Sequence, residues 1–295
     1  MKYSSPLYAP VVRDDLGAVE VVLGQDHPGF NDPLYRARRN ALASLALDWQ
    51  SGHPIPQAPY TGAEDGVWAA VTAALGPLHE RYACRAYLDA KEDLRLPGDR
   101  VPQLDEVTGL LRPKSGFQYL PVAGLAPLRD FYGAFAGSTF YSTQYLRHPS
   151  MPLYTPEPDV IHEVIGHANQ LACPAFAALY QLVGQAVGRC QGEPALRFLS
   201  KVFWFTMEFG VVWEAGEPKA YGAGILSSVG ETATYRAVEI RPLDLVAMGT
   251  LAHDITRYQP VLFAARSFPH LVDTLGNFFA TFDDDVHARL LRKAA

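Results

Sequence analysis

Residues 154–167 read Tyr-Thr-Pro-Glu-Pro-Asp-Val-Ile-His-Glu-Val-Ile-Gly-His. The stretch begins as a turn punctuated by prolines and continues as a predicted helix. It carries two histidines, His162 and His167, and three carboxylates, Glu157, Asp159 and Glu163. Imidazole and carboxylate together are the ligands that a borderline transition metal prefers. The stretch is therefore a candidate metal site.

The spacing of the two histidines separates this stretch from the zinc protease pattern H-E-x-x-H. A spacing of five residues leaves His162 and His167 about 140° apart on an ideal α-helix, whereas a spacing of four would place them on one face. They can share a metal only if the helix is locally widened, as in a π-bulge, or if His162 lies at an irregular helix start. Gly166 and Pro158 make such irregularity plausible. The alternative is a pair of ordinary helix histidines.

A third candidate ligand is Glu208, in the apolar segment Phe-Trp-Phe-Thr-Met-Glu-Phe-Gly at 203–210. A carboxylate buried in such a helix costs several kcal/mol unless it is paired or binds a metal. The alternatives are a salt bridge to a residue such as Lys201 or a position facing water. Two histidines and one carboxylate form the facial triad of non-haem iron sites. Zinc is the competing metal, and Glu163 would then be the base of a hydrolase.

The composition of the chain excludes several classes of protein. The 295 residues are 48% hydrophobic and 19% charged, and the net charge of -6 gives no basic face for nucleic acid or an anionic membrane. No apolar run approaches the roughly 20 residues that span a bilayer. Residues 1–10 contain no apolar core of a signal peptide. The cysteines, Cys84, Cys173 and Cys190, suit reduced thiols. We expect a cytoplasmic protein.

Hydrophobic periodicity and turn residues predict a mostly α, single-domain protein over 1–295 with a few short strands. A short strand is predicted at 19–23. Residues 116–126 are predicted as extended chain and turn, and 220–230 as loop plus a short strand. Asp32-Pro33 predicts a helix N-cap followed by proline at the first helical position. Helices are predicted over 33–50, 64–84 (kinked or split at Gly76-Pro77), 102–111, 128–137, 159–170, 173–188, 243–266, 270–281 and 283–295.

Ordered blocks along the chain carry a family resemblance. They include Thr-Pro-Glu-Pro-Asp-x-x-His-Glu-x-x-Gly-His at 155–167, Phe-Trp-Phe-Thr-x-Glu-Phe-Gly at 203–210 and Lys-Ala-Tyr-Gly-Ala-Gly-x-Leu-Ser-Ser at 219–228. Further blocks lie at 26–39, 101–104, 121–124, 129–131, 143–148 and 258–260. Together they span about 26–281 and resemble the pterin-dependent aromatic amino acid hydroxylases, with the phenylalanine 4-hydroxylase branch nearest.

The resemblance implies a catalytic domain shaped as a helical basket, in which His162, His167 and Glu208 bind Fe(II). It implies tetrahydropterin and O₂ as cosubstrates and a free aromatic amino acid as substrate. Ser227 would hold His162 by a hydrogen bond, as metal-bound histidines usually require. Arg39 and Glu157 match a structural ion pair of the family.

The resemblance also assigns residues to the two organic partners. Arg147 would clamp the substrate carboxylate, and the other substrate-binding residues would be Thr155, Pro158, Trp204, Phe209, Gly224, Ser227 and Ser228. Phe131 would stack on the pterin, with Glu163 and Leu125 beside it. The alternative interpretation treats Phe131, Trp204 and Phe209 as core aromatics and Arg147 as an ion-pair partner.

Two positions favour L-phenylalanine, converted to L-tyrosine, as the reaction. Trp204 occupies a position that is Phe in tryptophan hydroxylases, and Ile255 occupies one where tyrosine hydroxylases carry Asp. Tryptophan 5-hydroxylation and phenylalanine 3-hydroxylation are the alternatives within the family. A zinc-dependent hydrolase and a non-catalytic binding relative are the alternatives outside it.

The chain departs from the family at Ala168-Asn169-Gln170, where Val-Pro-Leu is usual, and at Tyr141 and Leu128. These departures leave pterin orientation and substrate preference open. The sequence leaves no room for a regulatory or a tetramerisation domain, so we expect a monomer or a weak dimer.

Overall fold

The computed structural model describes residues 9–254 and 257–294. The predicted mostly α architecture is confirmed. The helices are α1 Pro33–Asp48, α2 Gly62–Tyr82, α3 Arg85–Leu94, α4 Leu104–Ser115, α5 Leu128–Ala134, α6 Asn169–Leu171, α7 Pro174–Arg189, α8 Glu193–Phe203, α9 Ala223–Leu226, α10 Val229–Thr234, α11 Leu245–Thr250, α12 Phe268–Thr281 and α13 Asp284–Ala294. Two 3₁₀ turns, Phe135–Gly137 and Tyr235–Ala237, and two π-helical segments, His162–Ala168 and Trp204–Glu208, complete the helical structure of the described chain.

The strands are short, and several of them contribute residues to the buried core. They are β1 Val11–Arg13, β2 Val19–Val21, β3 Gln118–Pro121, β4 Thr139–Ser142, β5 Val211–Glu214, β6 Glu217–Ala220, β7 Glu239–Pro242 and β8 Val261–Ala265. β1 and β2 pair antiparallel with Val11 opposite Val21, and β3 and β4 pair parallel. The remaining four form a sheet in the order β6-β5-β8-β7, antiparallel only between β5 and β6.

Local signals determine the start of the first long helices. Asp32 caps α1 by accepting hydrogen bonds from the backbone N–H groups of Leu34 and Tyr35, as the Asp-Pro pair predicts. Thr61 and Glu64 form a reciprocal capping box at the start of α2. The expected break in α2 does not split it, because the helix continues through Pro77 to Tyr82. Its buried apolar face holds the helix together across the missing backbone donor.

Two predictions of secondary structure are wrong, and one helix was missed. The helix predicted over 243–266 is a short helix, α11, followed by the strand β8. β8 has four buried residues in succession, and such a run lacks the period that separates strand from helix. The segment 220–230, predicted as loop plus a short strand, contains α9 and the start of α10 instead, and α3 was not predicted.

The core is continuous through the helical body and includes many aromatic rings. The metal-candidate segment His162–Ala168 lies inside it and packs against α9. Gly166 permits this approach, since a Cβ at this position would lie 2.8 Å from the carbonyl oxygen of Ala223. Among the described residues, no single helix could cross a bilayer; only the bent pair His162–Leu171 and Pro174–Arg189, 104° apart, passes the same test of length and composition.

The buried side chain of His79, on α2, makes the fold sensitive to acid. One ring nitrogen, Nε2, lies 2.6 Å from the carbonyl oxygen of Leu226, and Nδ1 lies 2.9 Å from the Lys91 ammonium. Burial, and then the charge of Lys91, lower the pKa of His79 from 6.5 to about 3. The unfolded chain therefore binds a proton at a higher pH than the folded chain does. The stability contributed by the neutral ring is complete above pH 6.5 and falls as the pH drops towards 3.

We expect the His79→Gln variant to lose less stability than the wild type between pH 7 and pH 5. The difference in the pH-dependent change of unfolding free energy should be about 2 kcal/mol, at about 1.4 kcal/mol for each pH unit below the unfolded pKa. Urea unfolding at each pH measures it. The control is His53→Gln, because His53 is exposed. Parallel pH profiles for wild type and His79→Gln would contradict the prediction.

Candidate active site

The two histidines of the opening stretch meet because their helix is widened. Residues His162–Ala168 form a π-helix, whose longer i→i+5 hydrogen-bonding repeat places residues five apart on one face. The Nε2 atoms of His162 and His167 are 3.0 Å apart. Asp159 caps the start of the helix by accepting hydrogen bonds from the backbone N–H of His162, through its side chain, and of Glu163, through its carbonyl. The predicted local widening is confirmed.

Glu208 reaches the same point from a second π-helical segment, Trp204–Glu208. Its Oε1 atom lies 3.2 Å from His167 Nε2, and its Oε2 atom lies 3.6 Å from His162 Nε2. Burial lowers the pKa of His162 to about 4 and favours its neutral ring, against the opposing charge of Glu208. Burial would raise the pKa of Glu208, but the facing ring of His167 outweighs it and holds that pKa below its usual range.

Both imidazoles are held from behind by a hydroxyl group. Nδ1 of His162 lies 2.9 Å from Ser227 Oγ, which also contacts the carbonyl oxygen of Gly224 at 3.5 Å. Nδ1 of His167 lies 2.7 Å from the Tyr180 hydroxyl. With the ring hydrogens on the Nδ1 atoms that contact these hydroxyls, both Nε2 lone pairs face each other and the Glu208 carboxylate.

This donor set fits a metal ion. Nitrogens that each bind one ion at about 2.1 Å can be at most about 4.2 Å apart, and the two Nε2 atoms satisfy this limit. Without a cation, three groups that offer only electron pairs would converge in a buried site. Tyr180 was missed by sequence reasoning, because a tyrosine on an apolar helix resembles any core aromatic.

A second carboxylate lies beside the cluster. A carboxylate oxygen of Glu163 and one ring nitrogen from each of His162 and His167 all lie within 4.8 Å of one another. Burial, and then the negative charges of Glu208 and Asp159, raise the pKa of Glu163 well above its usual range. Burial and the neighbouring charges thus favour the neutral form of Glu163, whereas the histidines favour the ionised form of Glu208, whose two oxygens face His162 and His167.

Arg147 forms a buried two-point ion pair with Asp159. Its Nε atom lies 2.9 Å from Oδ2, and its Nη2 atom lies 2.9 Å from Oδ1. Among the described residues, the remaining terminal nitrogen, Nη1, contacts only the carbonyl oxygen of Pro152, at 3.5 Å. Despite its own burial, the Asp159 carboxyl has a lowered pKa because of the guanidinium charge. One end of the guanidinium is thus fixed, and Nη1 keeps capacity for a further acceptor.

Two aromatic side chains close to Glu208 in the chain, Trp204 and Phe209, pack against each other. The rings of Trp204 and Phe209 have centroids 4.6 Å apart, and His253 lies 5.0 Å from Trp204. Gly224 allows Phe209 its position, because a Cβ on residue 224 would lie 2.6 Å from the Cζ atom of Phe209. The Nε1 atom of Trp204 is buried without a hydrogen-bond partner among the described residues.

Three other predicted substrate residues have local structural contacts. Thr155 Oγ1 donates to the Glu157 carbonyl oxygen at 2.6 Å, and Ser228 Oγ accepts from the Glu231 backbone N–H at 3.3 Å. The Pro158 carbonyl oxygen accepts a hydrogen bond from the Tyr145 hydroxyl. These contacts hold the three residues in their local turns, and their role towards substrate stays a prediction.

Two of the predicted pterin residues, Phe131 and Leu125, precede the metal-candidate helix, and the third, Glu163, lies in it. Phe131 is half-buried on α5, with its ring 5.5 Å from that of Phe140, which in turn lies 4.8 Å from the ring of His167. Leu125 is half-buried in the loop before α5. Ile255, on which part of the substrate argument depends, lies outside the described residues.

The predicted ion pair between Arg39 and Glu157 is confirmed. Nη1 of Arg39 lies 2.6 Å from Oε1 of Glu157, and both side chains are buried. The guanidinium carbon also lies 3.4 Å from the centre of the Tyr145 ring. This pair anchors the turn that leads into the π-helix.

Comparisons with known proteins show the family of the chain. The sequence profile for biopterin-dependent aromatic amino acid hydroxylases matches residues 12–290. A phenylalanine 3-hydroxylase of Streptomyces coeruleorubidus is 46% identical over 265 residues, which cover 90% of this chain and 95% of that protein. The chloroplastic phenylalanine 4-monooxygenase of Chlamydomonas reinhardtii is 48% identical over 211 residues, which cover 72% of this chain and 58% of that protein.

A solved structure is similar over most of the fold. It is the phenylalanine hydroxylase of Chromobacterium violaceum with bound iron(III) and 7,8-dihydrobiopterin, with a TM-score of 0.73 and 28% identity. The similarity covers 81% of this chain and 90% of that one. The chain therefore belongs to the biopterin-dependent aromatic amino acid hydroxylases, a family of monooxygenases.

Proposed function

We propose that the protein hydroxylates the ring of free L-phenylalanine, with Fe(II) bound by His162, His167 and Glu208 and with tetrahydropterin and O₂ as cosubstrates. The observation that carries the proposal is the convergence of two imidazole nitrogens and a carboxylate at 3.0–3.6 Å in a buried site. This set matches the facial triad of non-haem iron enzymes. When bound, iron and the reduced pterin together supply the activation of O₂.

The chain's own residues bind and orient the two organic molecules. In this proposal Arg147 binds the substrate carboxylate through Nη1, while Asp159 holds the rest of its guanidinium in place. Thr155 and Ser228 would offer hydroxyl groups to the backbone of the amino acid. The aromatic ring of the substrate would pack against Trp204 and Phe209. Pro158, Gly224 and Ser227 would line the rest of the substrate site.

Phe131, Leu125 and Glu163 would hold the pterin. Phe131 offers a half-buried ring for stacking, and Leu125 offers an apolar edge. Glu163, with its raised pKa, would donate a hydrogen bond as a neutral acid towards the pterin or an intervening water. The aromatic lining excludes bulk water from the reacting groups.

The proposed preference for L-phenylalanine rests on two positions of the sequence. Trp204 stands where tryptophan hydroxylases carry Phe, and Ile255 stands where tyrosine hydroxylases carry Asp. Hydroxylation at C4, giving L-tyrosine, is the first candidate. Hydroxylation at C3, giving meta-tyrosine, is the second, and the phenylalanine 3-hydroxylase that is 46% identical over 90% of this chain favours it.

Product analysis separates these reactions. The iron-loaded protein is incubated with tetrahydropterin, O₂ and L-Phe, L-Tyr or L-Trp in separate reactions, and products are identified by mass spectrometry and NMR. We expect turnover with L-Phe to exceed turnover with the other two and to give one tyrosine isomer. Formation of 5-hydroxytryptophan as the main product would contradict the proposal that L-phenylalanine is the substrate. Absence of pterin-dependent oxygen uptake, with metal-dependent hydrolysis in its place, would contradict the reaction class.

A further inference from the structure

Gln170 is a buried carboxamide whose orientation is fixed by its neighbours. Its Nε2 atom lies 2.9 Å from the carbonyl oxygen of Met207 and 2.5 Å from that of Tyr221. Carbonyl oxygens only accept hydrogen bonds, so the amide nitrogen must face them. The opposite orientation would place the amide oxygen against two other acceptors. The Oε1 atom of Gln170 therefore faces the Tyr180 hydroxyl, 2.5 Å away.

This orientation decides the direction of the next hydrogen bond. Since Oε1 of Gln170 can only accept, the Tyr180 hydroxyl donates its single hydrogen to it. The Tyr180 oxygen then has only acceptor capacity for its other neighbour, Nδ1 of His167, at 2.7 Å. That nitrogen must carry the hydrogen of the ring, and Nε2 is left with its lone pair.

We infer that Gln170 and Tyr180 form a positioning pair that sets the tautomer and the ring orientation of His167, so that Nε2 is ready to bind the metal. The inference rests on the proposed metal site. It gives a role to Gln170, which stands where the family usually has Leu. An apolar side chain at this position would leave the Tyr180 hydroxyl without its acceptor. The hydroxyl could then donate to Nδ1 and force the hydrogen of the ring onto Nε2, where it would block the metal.

The same carboxamide links the two ligand-bearing segments. Met207 directly precedes Glu208 in the second π-helical segment, and Tyr221 lies just before α9, which leads to Ser227. A single buried side chain thus spans the helix of His167, the segment of Glu208 and the loop before α9. The Gln170 side chain therefore both connects these segments and sets the tautomer of His167.

Substitutions that keep the packing can separate tautomer control from simple stability. The Tyr180 ring lies among those of Phe135 and Phe203, with centroids 5.1 Å and 5.4 Å away, so Tyr180→Phe removes little beyond the hydroxyl. Gln170→Leu removes the acceptor. Gln170→Glu keeps an acceptor for Tyr180 as a buried neutral acid, whose hydroxyl can donate to one of the two carbonyl oxygens. The control is Tyr132→Phe, because Tyr132 also packs on Phe203 at 4.8 Å, while among the described residues its hydroxyl contacts only Ser200, at 3.3 Å.

Two measurements test the inference. Cobalt(II) titration of the metal-free full-length chain should show affinity lowered by about 10- to 100-fold in Tyr180→Phe and Gln170→Leu, the usual effect of losing a hydrogen-bond partner behind a metal-bound histidine. Tyr132→Phe should bind as the wild type does. Nitrogen-15 NMR of the histidine rings should report hydrogen on Nδ1 of His167 in the wild type and in Gln170→Glu, but on Nε2 in Gln170→Leu.

The outcomes separate this inference from the proposed function. If His167→Ala binds cobalt(II) as the wild type does, the proposed metal site is wrong. If His167→Ala loses binding while Tyr180→Phe and Gln170→Leu keep wild-type affinity, the metal site stands and the positioning pair is refuted. Hydrogen on Nε2 of His167 in the wild-type chain would also refute the pair.

Discussion

Replacing His167 by alanine should lower pterin-dependent hydroxylation by at least about 1000-fold, which corresponds to about 4 kcal/mol of transition-state stabilisation. The ring provides one of three donors to the proposed metal, and its neighbours Tyr180 and Glu208 cannot replace the lost nitrogen. The chain should remain folded, because the π-helix is held by the Asp159 cap and by its packing in the core. Steady-state assays with saturating iron measure the loss, and near-ultraviolet circular dichroism reports the fold.

The matched control for that variant is His53→Ala, which removes an exposed imidazole and should keep wild-type activity. A His167→Ala variant that retains more than about a tenth of the wild-type rate would be incompatible with a three-donor site, because loss of one interaction of about 1.4 kcal/mol already costs a factor of ten. Unfolding of the variant would be visible in the dichroism spectrum and would require His167→Gln in its place.

Breaking the buried Arg39–Glu157 pair should be the largest single loss of stability outside the metal site. We expect Arg39→Met to lower the free energy of unfolding by about 3–5 kcal/mol, because Glu157 is then left as a buried carboxylate without its main partner. Its remaining contacts, with His27 at 3.6 Å and with the backbone N–H of Ala9 at 3.3 Å, are too weak to replace the guanidinium. Urea unfolding measures the difference.

An exposed ion pair provides the control. Arg13 and Asp48 are as close, at 2.6 Å, but both side chains face solvent, so Arg13→Met should cost no more than about 1 kcal/mol. The double variant Arg39→Met/Glu157→Leu should be more stable than Arg39→Met alone, because no uncompensated charge stays buried. Equal losses of unfolding free energy for Arg39→Met and Arg13→Met would contradict the prediction, because the buried pair would then contribute no more than the exposed pair.

The features that were predictable from the sequence are those with local causes. The spacing of His162 and His167 requires a widened helix if they are to meet, and the π-helix provides it. The Asp32-Pro33 pair determines the start of α1 through a cap that involves only adjacent residues. The family resemblance extended this reasoning to Glu208, which lies some forty residues beyond the second histidine.

Features that depend on tertiary contacts were not predictable. The strand β8 is an apolar run whose state is decided by its neighbours β5 and β7. Tyr180 lies on the apolar face of α7, and nothing in its local sequence indicates that its hydroxyl reaches His167. Gln170 appeared only as an unexplained departure, because its partners Met207 and Tyr221 are 37 and 51 residues away along the chain.

The most direct test of the proposed iron centre is anaerobic Fe(II) titration of the metal-free chain. We expect one Fe(II) for each wild-type chain, and loss of that binding in His162→Ala, His167→Ala and Glu208→Ala separately, with His53→Ala unchanged. Retention of one tightly bound Fe(II) in all three ligand variants would contradict the account, because the metal would then lie elsewhere in the molecule.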